Sequence, residues 1–318
     1  MGYIDNIEKE LFEYYPPLTK REDFDEFWDS TLKIAKAVPL KPEKKLYAYP
    51  SNYVKVYSIS YNGFDETRIH GWYILPTFTK ESKIPCLIHY HGYGGNKGMP
   101  ADFMHWIIMG IAVLSVDCRG QSGETGNCAI YTGGSTQSVV CKGIPDKNEY
   151  YFRQVYMDCV KAIDFVCAQE EIDRNRIVAE GGSQGGGLAM AVSALDKRPY
   201  IAMADVPSNS NIEMRVEGGH GAFSNVTEYL RIHPDKIEQV FKTLSYFDTM
   251  NMADRIQCKV LASVGLKDNI CPAKCYFATY NRIKSEKYIK IYPFNGHEGG
   301  GSLHNEVKMQ FLRDHLYS

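Results

Sequence analysis

A succession of short apolar runs, separated by stretches with helical periodicity, restricts the fold of this chain more than any other feature of its sequence. Residues 86–90 and 111–116 are largely apolar at successive positions, as in strands that are covered on both faces of a sheet. Residues from about 150 to 168 place Val155, Cys159 and later apolar residues at helical spacing. Strand and helix patterns that alternate in this way indicate an α/β fold with a mostly parallel sheet.

The sheet is predicted to begin with an antiparallel pair of strands. Residues 53–60 and 68–75 flank Asn62-Gly63, a turn signal, and the first of these segments alternates between apolar and polar side chains. An amphipathic helix is predicted before this pair, near Trp28. We predict the later strands at residues 86–90, 111–116, 176–179, 200–206, 258–264 and 287–292.

One long segment interrupts the alternation. Residues from about 207 to 256 carry two helical patterns and no strand pattern. An insertion at the carboxyl end of a strand lies beside the place where such sheets bind ligands, so we expect it to form a lid. No repeat, low-complexity tract or linker divides the sequence, and residues 1–318 are predicted to form a single domain.

Composition excludes several classes of protein. The chain has 44% hydrophobic and 23% charged residues, which is typical of a folded globular protein. Its net charge of −2 gives no broad basic surface for nucleic acid or an anionic membrane. The nine cysteines form no Cys-x-x-Cys pair and the amino terminus lacks a signal-peptide pattern. We therefore expect a cytoplasmic protein with reduced thiols.

Residues 181–185, Gly-Gly-Ser-Gln-Gly, match the Gly-x-Ser-x-Gly pattern of a nucleophile elbow. A serine at the tip of a sharp strand-to-helix turn needs neighbours without side chains, so that its hydroxyl is accessible. The predicted strand at 176–179 precedes the motif, and small residues that can open a helix follow it. Ser183 is therefore predicted to be a nucleophile; the alternative is a glycine-rich turn with an unreactive serine.

A nucleophilic serine needs a base and an acid that orients the base. In α/β-hydrolases the acid and the histidine follow the serine in that order, each just after a later strand. Asp268 follows the predicted strand at 258–264, and His297 follows the one at 287–292. We predict Asp268 as the acid and His297 as the base.

Two backbone N–H groups are required for an oxyanion hole. One belongs to the residue after the nucleophile, Gln184, and the other to a loop that follows an early strand. Residues 91–95, His-Gly-Tyr-Gly-Gly, are similar to the His-Gly-Gly-Gly loop of esterases and make Tyr93 the second donor. A dinucleotide fingerprint is disfavoured because Lys97 stands where its third glycine should be.

No metal site is expected in the chain. His89 and His91 alternate at a strand end, but no third ligand accompanies them at metal-binding spacing. We expect these two histidines to have core and loop roles. We also expect Asp117 and Arg119 to form an ion pair that holds loops at a strand end.

Three motifs of the sequence resemble those of a known family. Arg119-Gly120-Gln121, the segment 181–185 and His297-Glu298 are similar to the three signature motifs of the seventh carbohydrate-esterase family, whose members are acetyl xylan esterases and cephalosporin C deacetylases. The resemblance covers nearly the whole chain and extends through residues 245–248, 268–272 and 297–301.

The resemblance implies an α/β-hydrolase fold and a cytoplasmic homohexamer whose active sites face an inner cavity. It implies action, without a cofactor, on acetyl esters of small oligosaccharides and on acetylated antibiotics. By position, Ile270 lines the small acyl pocket and Tyr93 contributes to substrate binding. The sequence departs from the family at Ser208, where a bulky apolar residue is common, and at Ala273, which replaces a second proline.

The triad residues and the resemblance together predict a serine esterase, and the resemblance implies that it deacetylates small carbohydrates such as xylo-oligosaccharides, and cephalosporin C. A general short-chain carboxylesterase or a peptidase of the same fold is one alternative, although such peptidases usually carry a propeller or a large cap. A non-catalytic binding protein is another, but the three residues of a complete triad argue against it.

Overall fold

The computed structural model of the protein describes residues 2–132 and 138–317. The strands in these residues are β1 (Glu43–Tyr47), β2 (Val54–Asn62), β3 (Arg68–Pro76), β4 (Ile84–Tyr90), β5 (Ala112–Val116), β6 (Ile172–Gly182), β7 (Pro199–Asp205), β8 (Lys259–Gly265) and β9 (Lys287–Tyr292). The helices are α1 (Tyr3–Glu13), α2 (Phe24–Ala37), α3 (Met104–Ile107), α4 (Tyr151–Cys167), α5 (Gln184–Leu195), α6 (Ile212–Glu217), α7 (Ser224–Ile232), α8 (Ile237–Ser245), α9 (Ala273–Tyr280) and α10 (Gly301–Leu316).

The strands form one mixed sheet in the order β1-β2-β3-β5-β4-β6-β7-β8-β9. Strands β1, β2, β3 and β5 pair antiparallel, and every later neighbour pairs parallel. This is the predicted α/β-hydrolase architecture, a mostly parallel sheet with an antiparallel start. The parallel strands point their carboxyl ends to the same edge, which is where ligands bind in such sheets.

Apolar side chains of the central strands point alternately to two separate cores, as the period of a strand requires. Leu114 belongs to the larger core, which also contains α2, α4, α5 and parts of the helical insertion. Its neighbour Val113 belongs to the smaller core, which is closed by Trp106, Leu312 and Leu316. Helices therefore cover both faces of the sheet, and this explains why the central strands are apolar throughout.

The predicted strands are all present, with ends that differ by a few residues. The largest difference is in β6, because Ile172 already pairs with Ile84 of β4 and lengthens the strand at its amino end. Strand β1 was not predicted: all five of its residues are exposed, so they carry no alternation of apolar and polar side chains.

The segment between β7 and β8 contains helices α6, α7 and α8 and short 3-10 turns, and no strand. Three helices thus stand where two helical patterns were predicted. The insertion begins at the carboxyl end of β7, beside the elbow that follows β6. It therefore contributes side chains to the edge of the sheet that carries the candidate site.

Across residues 2–132 and 138–317, the helices fall short of the length and apolar character that a membrane span requires.

Candidate active site

Ser183 occupies the turn between β6 and α5 with φ 59° and ψ −120°, a conformation that strains a residue with a side chain. The flanking glycines are required by close packing. A Cβ at Gly185 would lie 1.8 Å from the carbonyl oxygen of Tyr90, and one at Gly181 would lie 2.4 Å from the same atom. The elbow predicted from the sequence is therefore present, and its backbone holds the serine at the carboxyl edge of the sheet.

The structure brings the three predicted triad residues together. The Nε2 atom of His297 lies 2.9 Å from Oγ of Ser183, and its Nδ1 atom lies 2.8 Å from Oδ2 of Asp268. These contacts join residues from three different loops into one chain of hydrogen bonds. With Nδ1 protonated and donating to Asp268, Nε2 is left free to accept the serine proton.

Asp268 is held rigidly in the loop after β8. Its side chain is fully buried, and its Oδ1 accepts the backbone N–H groups of Ile270 at 2.8 Å and Cys271 at 2.9 Å. These bonds use one carboxylate oxygen and leave the other directed at His297. The loop therefore fixes the carboxylate beside the imidazole in one orientation.

The loop that carries His297 is shaped by its neighbours. The carboxylate of Glu298 accepts the backbone N–H of Gly296 at 3.0 Å and the side-chain amide of Asn295 at 2.9 Å. Gly300 has φ 92°, and a Cβ there would lie 2.3 Å from the ring of Tyr292. The glycines after the histidine are therefore needed to turn the chain into α10.

The predicted oxyanion donors lie on either side of Ser183. A Cβ at Gly92 would be 3.8 Å from the Cβ of Ser183, so the loop that contains Tyr93 packs against the serine. Gln184 is the first residue of α5, where backbone N–H groups have no partner within the helix. In the described part of the chain, the N–H groups of Tyr93 and Gln184 donate to no backbone carbonyl.

Gln121 links the two segments that carry these N–H groups. Its Oε1 accepts the backbone N–H of Gly94 at 2.7 Å, and its Nε2 donates to Oε1 of Gln184 at 3.0 Å and to Oη of Tyr151 at 2.9 Å. Tyr151 in turn donates to the carbonyl of Arg119 at 2.6 Å. Gln121 and Tyr151 thus hold the loop after β4, the loop after β5 and the start of α5 together.

The expected ion pair between Asp117 and Arg119 is wrong. Arg119 is fully buried and pairs with Asp158 of α4 at 2.6 Å and with Asp65 at 2.8 Å. Asp117 accepts the backbone N–H of Lys97 at 2.7 Å. Positions two apart along a strand point to the same side, but both residues lie beyond the end of β5 at Val116, so this rule no longer applies and tertiary contacts give the two charges different partners.

The two histidines of β4 and its loop are occupied by structural contacts. Nδ1 of His89 lies 2.6 Å from the carboxylate of Glu180, and Nε2 of His91 accepts the backbone N–H of Cys118 at 2.8 Å. Burial lowers the pKa of His91, which favours the neutral ring that can accept this bond. Within residues 2–132 and 138–317, no three His, Cys, Asp or Glu side chains are grouped so as to hold a metal ion.

A cavity of about 310 Å³ opens at Ser183. This volume is at the lower end of the range for small-molecule sites. The residues that line it are Gly92, Tyr93, Val140, Phe152, Ser183, Gln184, Ser208, Asn209, Arg215, Ala222, Phe223, Ile270 and His297. All the predicted site residues except Asp268 are in this set; Asp268 is reached through His297.

Sequence reasoning missed part of this lining. Arg215, Ala222 and Phe223 belong to the helical insertion, and Val140 and Phe152 precede or open α4. Their positions follow no motif, and the only sequence signal was the placement of the insertion after β7. Ile270, predicted to line the acyl pocket, is 40% exposed at the mouth, whereas Phe152 and Phe223 are buried.

Cys271 lies directly behind the site. It is 3% exposed, and burial raises the pKa of its thiol above the ordinary value. A thiol with a raised pKa is a poor nucleophile at neutral pH. Its backbone N–H, bonded to Asp268, is the part of Cys271 that contributes to the site.

Comparison with known proteins agrees with this architecture. The family model described as acetyl xylan esterase matches residues 1–315. The acetyl xylan esterase from Paenibacillus sp. R4 is 40% identical with a TM-score of 0.93, and the match covers 99% of each chain. Acetyl xylan esterase 1 from Thermoanaerobacterium sp. JW/SL YS485 is 33% identical with a TM-score of 0.92, over 100% of this chain and 99% of that one.

A curated relative extends beyond this sequence. The acetyl esterase Axe7A of Xylanibacter ruminicola is 27% identical over 297 residues, which are 90% of this chain and 65% of the relative. The chain therefore spans somewhat less than two thirds of the length of that protein. Because the family model matches residues 1–315 and the α/β-hydrolase sheet is present, this chain belongs to the acetyl xylan esterase family.

Proposed function

We propose that this protein is a serine esterase that removes acetyl groups from small acetylated carbohydrates. The observation that carries the proposal is the chain of hydrogen bonds from Ser183 through His297 to Asp268, at 2.9 Å and 2.8 Å. Ser183 and His297 line a cavity of small-molecule size. The protein also belongs to the acetyl xylan esterase family. This arrangement is suited to acyl transfer.

In the proposed mechanism His297 removes the proton of Ser183 as the serine oxygen attacks the acetyl carbonyl. Asp268 holds the imidazole in the required tautomer and stabilises the imidazolium that forms. The backbone N–H groups of Gln184 and Tyr93 bind the oxyanion, and the amino end of α5 adds a favourable dipole. His297 then protonates the leaving sugar hydroxyl.

Hydrolysis of the acetyl-enzyme follows the same steps, with water in place of Ser183 as the nucleophile. His297 takes a proton from the water molecule that attacks the acetyl-enzyme and returns it to the oxygen of Ser183 as the acyl bond breaks and acetic acid is released. All groups needed for these steps are side chains and backbone amides of this chain, so the proposed reaction uses no cofactor.

The proposed substrates are acetylated xylo-oligosaccharides, with cephalosporin C as a second acetyl ester. Support comes from the names of the related enzymes, from Ile270 at the mouth of the cavity and from the resemblance of the three motifs. We further propose that residues 1–318 act as one domain and that the protein is cytoplasmic.

A homohexamer is the proposed assembly. Apolar side chains are exposed around a second cavity of about 700 Å³ between α1 and the loops after β8 and β9, where Tyr3 is 77% and Phe294 is 82% exposed. Burial of such a surface between subunits would be favourable. Light scattering at micromolar concentration should exceed the 36.1 kDa monomer mass; a monomer would contradict the proposal.

Replacement of Ser183 by alanine tests the mechanism. Loss of a triad nucleophile typically lowers turnover by about a million-fold, so hydrolysis of acetylated xylobiose should be abolished. Labelling by a fluorophosphonate should be lost as well. Ser30→Ala, at an exposed position of α2, is the matched control and should retain both signals. Label on the Ser183 variant, or activity within tenfold of the wild type, would overturn the assignment.

A further inference from the structure

Arg215 is a buried cation in the candidate site, and the proposed mechanism does not use it. It lies on α6, is 1% exposed and lines the cavity that opens at Ser183. Its Nη2 donates to the carbonyl oxygen of Ile270 at 2.8 Å, and its Nη1 donates to Oγ of Ser208. Its Nε is buried without a hydrogen-bond acceptor in the part of the chain that the structure describes.

The charge of this guanidinium is not neutralised locally. No carboxylate of residues 2–132 and 138–317 forms an ion pair with Arg215. The ring of Phe223, 4.8 Å from Cζ, supplies only a cation–π contact. Burial of a cation is costly unless an anion or a full set of acceptors compensates it.

Two other buried cations donate to carbonyls at the ends of helices. Nζ of Lys161 donates to the carbonyls of Ala35 at 3.3 Å and Val38 at 2.7 Å, at the carboxyl end of α2. Nη1 of Arg282 donates to the carbonyl of Ala278 in the last turn of α9 at 2.6 Å. The negative end of a helix stabilises each of them. Arg215 has one loop carbonyl and one hydroxyl instead, and it faces the cavity.

Ser208 supplies a hydrogen-bond acceptor for the guanidinium of Arg215 and leaves room for it beside the cavity. Its hydroxyl accepts from Arg215 and donates to Oδ1 of Asn209 at 3.1 Å. A bulky apolar side chain at 208 would remove that acceptor and fill the space. Ser208, Asn209 and Arg215 therefore give the inner wall of the cavity a polar and cationic character, which a pocket for acetyl alone does not need.

We propose that Arg215 selects esters whose acyl group ends in a carboxylate, of which the succinyl group is the simplest flexible case. The inference rests on the proposed function and specifies its acyl substrate. Arg215 bonds the carbonyl of Ile270, the predicted wall of the acyl pocket, and itself lines the same cavity, so its charge is part of the surface that an acyl chain would meet. Guanidinium and carboxylate form short, charge-assisted bonds.

The reaction remains ester hydrolysis. Ser183 attacks the ester carbonyl, the alcohol leaves, and water releases the dicarboxylate from the acyl-enzyme. The distal carboxylate takes no part in bond making or breaking; it neutralises the buried cation and holds the acyl chain.

Three methyl xyloside monoesters separate charge from size: acetyl, succinyl and levulinyl. Levulinyl carries a methyl ketone where succinyl carries its carboxylate, so the two acyl groups are nearly equal in shape. Charge-assisted bonds to a buried group predict that wild-type kcat/KM for the succinyl ester exceeds that for the levulinyl ester by at least about tenfold. Free succinate should likewise inhibit hydrolysis of p-nitrophenyl acetate more strongly than levulinate.

Arg215→Met removes the charge with little loss of volume, and Arg215→Lys keeps the charge without the planar group. The succinyl-to-levulinyl ratio should fall to about one in the Met variant, with an intermediate ratio in the Lys variant. Arg231→Met, at an exposed position of α7, is the matched control and should leave the ratio at the wild-type value.

A wild-type ratio of one or less would overturn the proposal, as would equal losses for all three esters in Arg215→Met, since a residue that only holds the Ile270 loop affects every substrate alike. If that variant does not fold, the inhibition constants of succinate and levulinate on the wild type decide the question. Absence of hydrolysis of the acetyl ester that depends on Ser183 would refute the proposed function instead.

Discussion

Replacing Lys308 by methionine is expected to destabilise the protein by about 3 kcal/mol or more, since removal of one partner of a buried ion pair costs about 3–5 kcal/mol. Nζ of Lys308 lies 2.9 Å from Oε1 of Glu180 and 2.7 Å from Oδ2 of Asp205, and its side chain is 5% exposed. His89 contacts Glu180 at 2.6 Å and His304 contacts Asp205 at 3.0 Å, so each carboxylate keeps one partner. The lower end of the range is therefore expected.

The destabilisation should depend on pH in a defined direction. Burial alone raises the pKa of Glu180, but Lys308 and His89 hold it well below the ordinary range. In the wild type, this ion pair contributes stability that is complete above the unfolded pKa of about 4.3 and is lost only as pH falls below it. Without Lys308, burial dominates and the pKa of Glu180 rises. Acidification then protonates Glu180 in the variant and removes its buried, poorly compensated charge. The difference in unfolding free energy between the wild type and the variant should therefore shrink between pH 7 and pH 5.

Urea unfolding followed by circular dichroism and tryptophan fluorescence at several pH values measures both effects, with refolding checked at each pH. Lys33→Met, at an exposed position of α2, is the matched control and should change stability by less than about 0.5 kcal/mol. A loss below about 1 kcal/mol for Lys308→Met, or a loss that does not vary with pH, would refute the account of the buried network.

Further predictions concern the oxyanion hole, the acyl pocket and the thiols. Replacing the backbone amide of Gln184 by an ester through semisynthesis should lower kcat about a hundredfold or more, whereas Gln184→Ala should cost little through the hole itself; equal rates for amide and ester would show that another group binds the oxyanion. The wild type should favour p-nitrophenyl acetate over the butyrate by roughly tenfold to a hundredfold in kcat/KM, and Ile270→Ala should reduce this preference; an unchanged profile would mean that the wall is elsewhere. Thiol titration of freshly prepared, denatured protein without reductant should recover nine free cysteines, and a markedly lower number would contradict a reduced protein.

The triad geometry could be predicted because each of its members follows a strand. Ser183, Asp268 and His297 are far apart in sequence, but parallel strands end at one edge of the sheet, so residues just after them meet. The order of the three residues and the glycines around Ser183 carried the rest of the prediction. These signals depend on local sequence and on a topology that the alternation of strands and helices already indicates.

The contacts of the charged residues could not be predicted in the same way. Arg119 pairs with Asp158, a residue of α4 that is 39 positions away, and no pattern in the sequence distinguishes this partner from Asp117. Arg215 was missed because it lies in the insertion, where helical periodicity gives the helices but not their docking. Pairing between elements is set by tertiary packing, which a linear pattern does not contain.

The backbone of Ser183 has a consequence for engineering. At φ 59° and ψ −120° a serine is strained, whereas glycine adopts these angles freely. Ser183→Gly should therefore remove backbone strain and raise the free energy of unfolding by about 1 kcal/mol or more. It also removes the hydroxyl on which the proposed chemistry depends. A library of variants selected for thermal stability alone would accumulate this inactive substitution, because stability favours glycine at position 183 and catalysis requires serine. Directed evolution of a more stable variant must therefore measure thermal stability and esterase activity in every round.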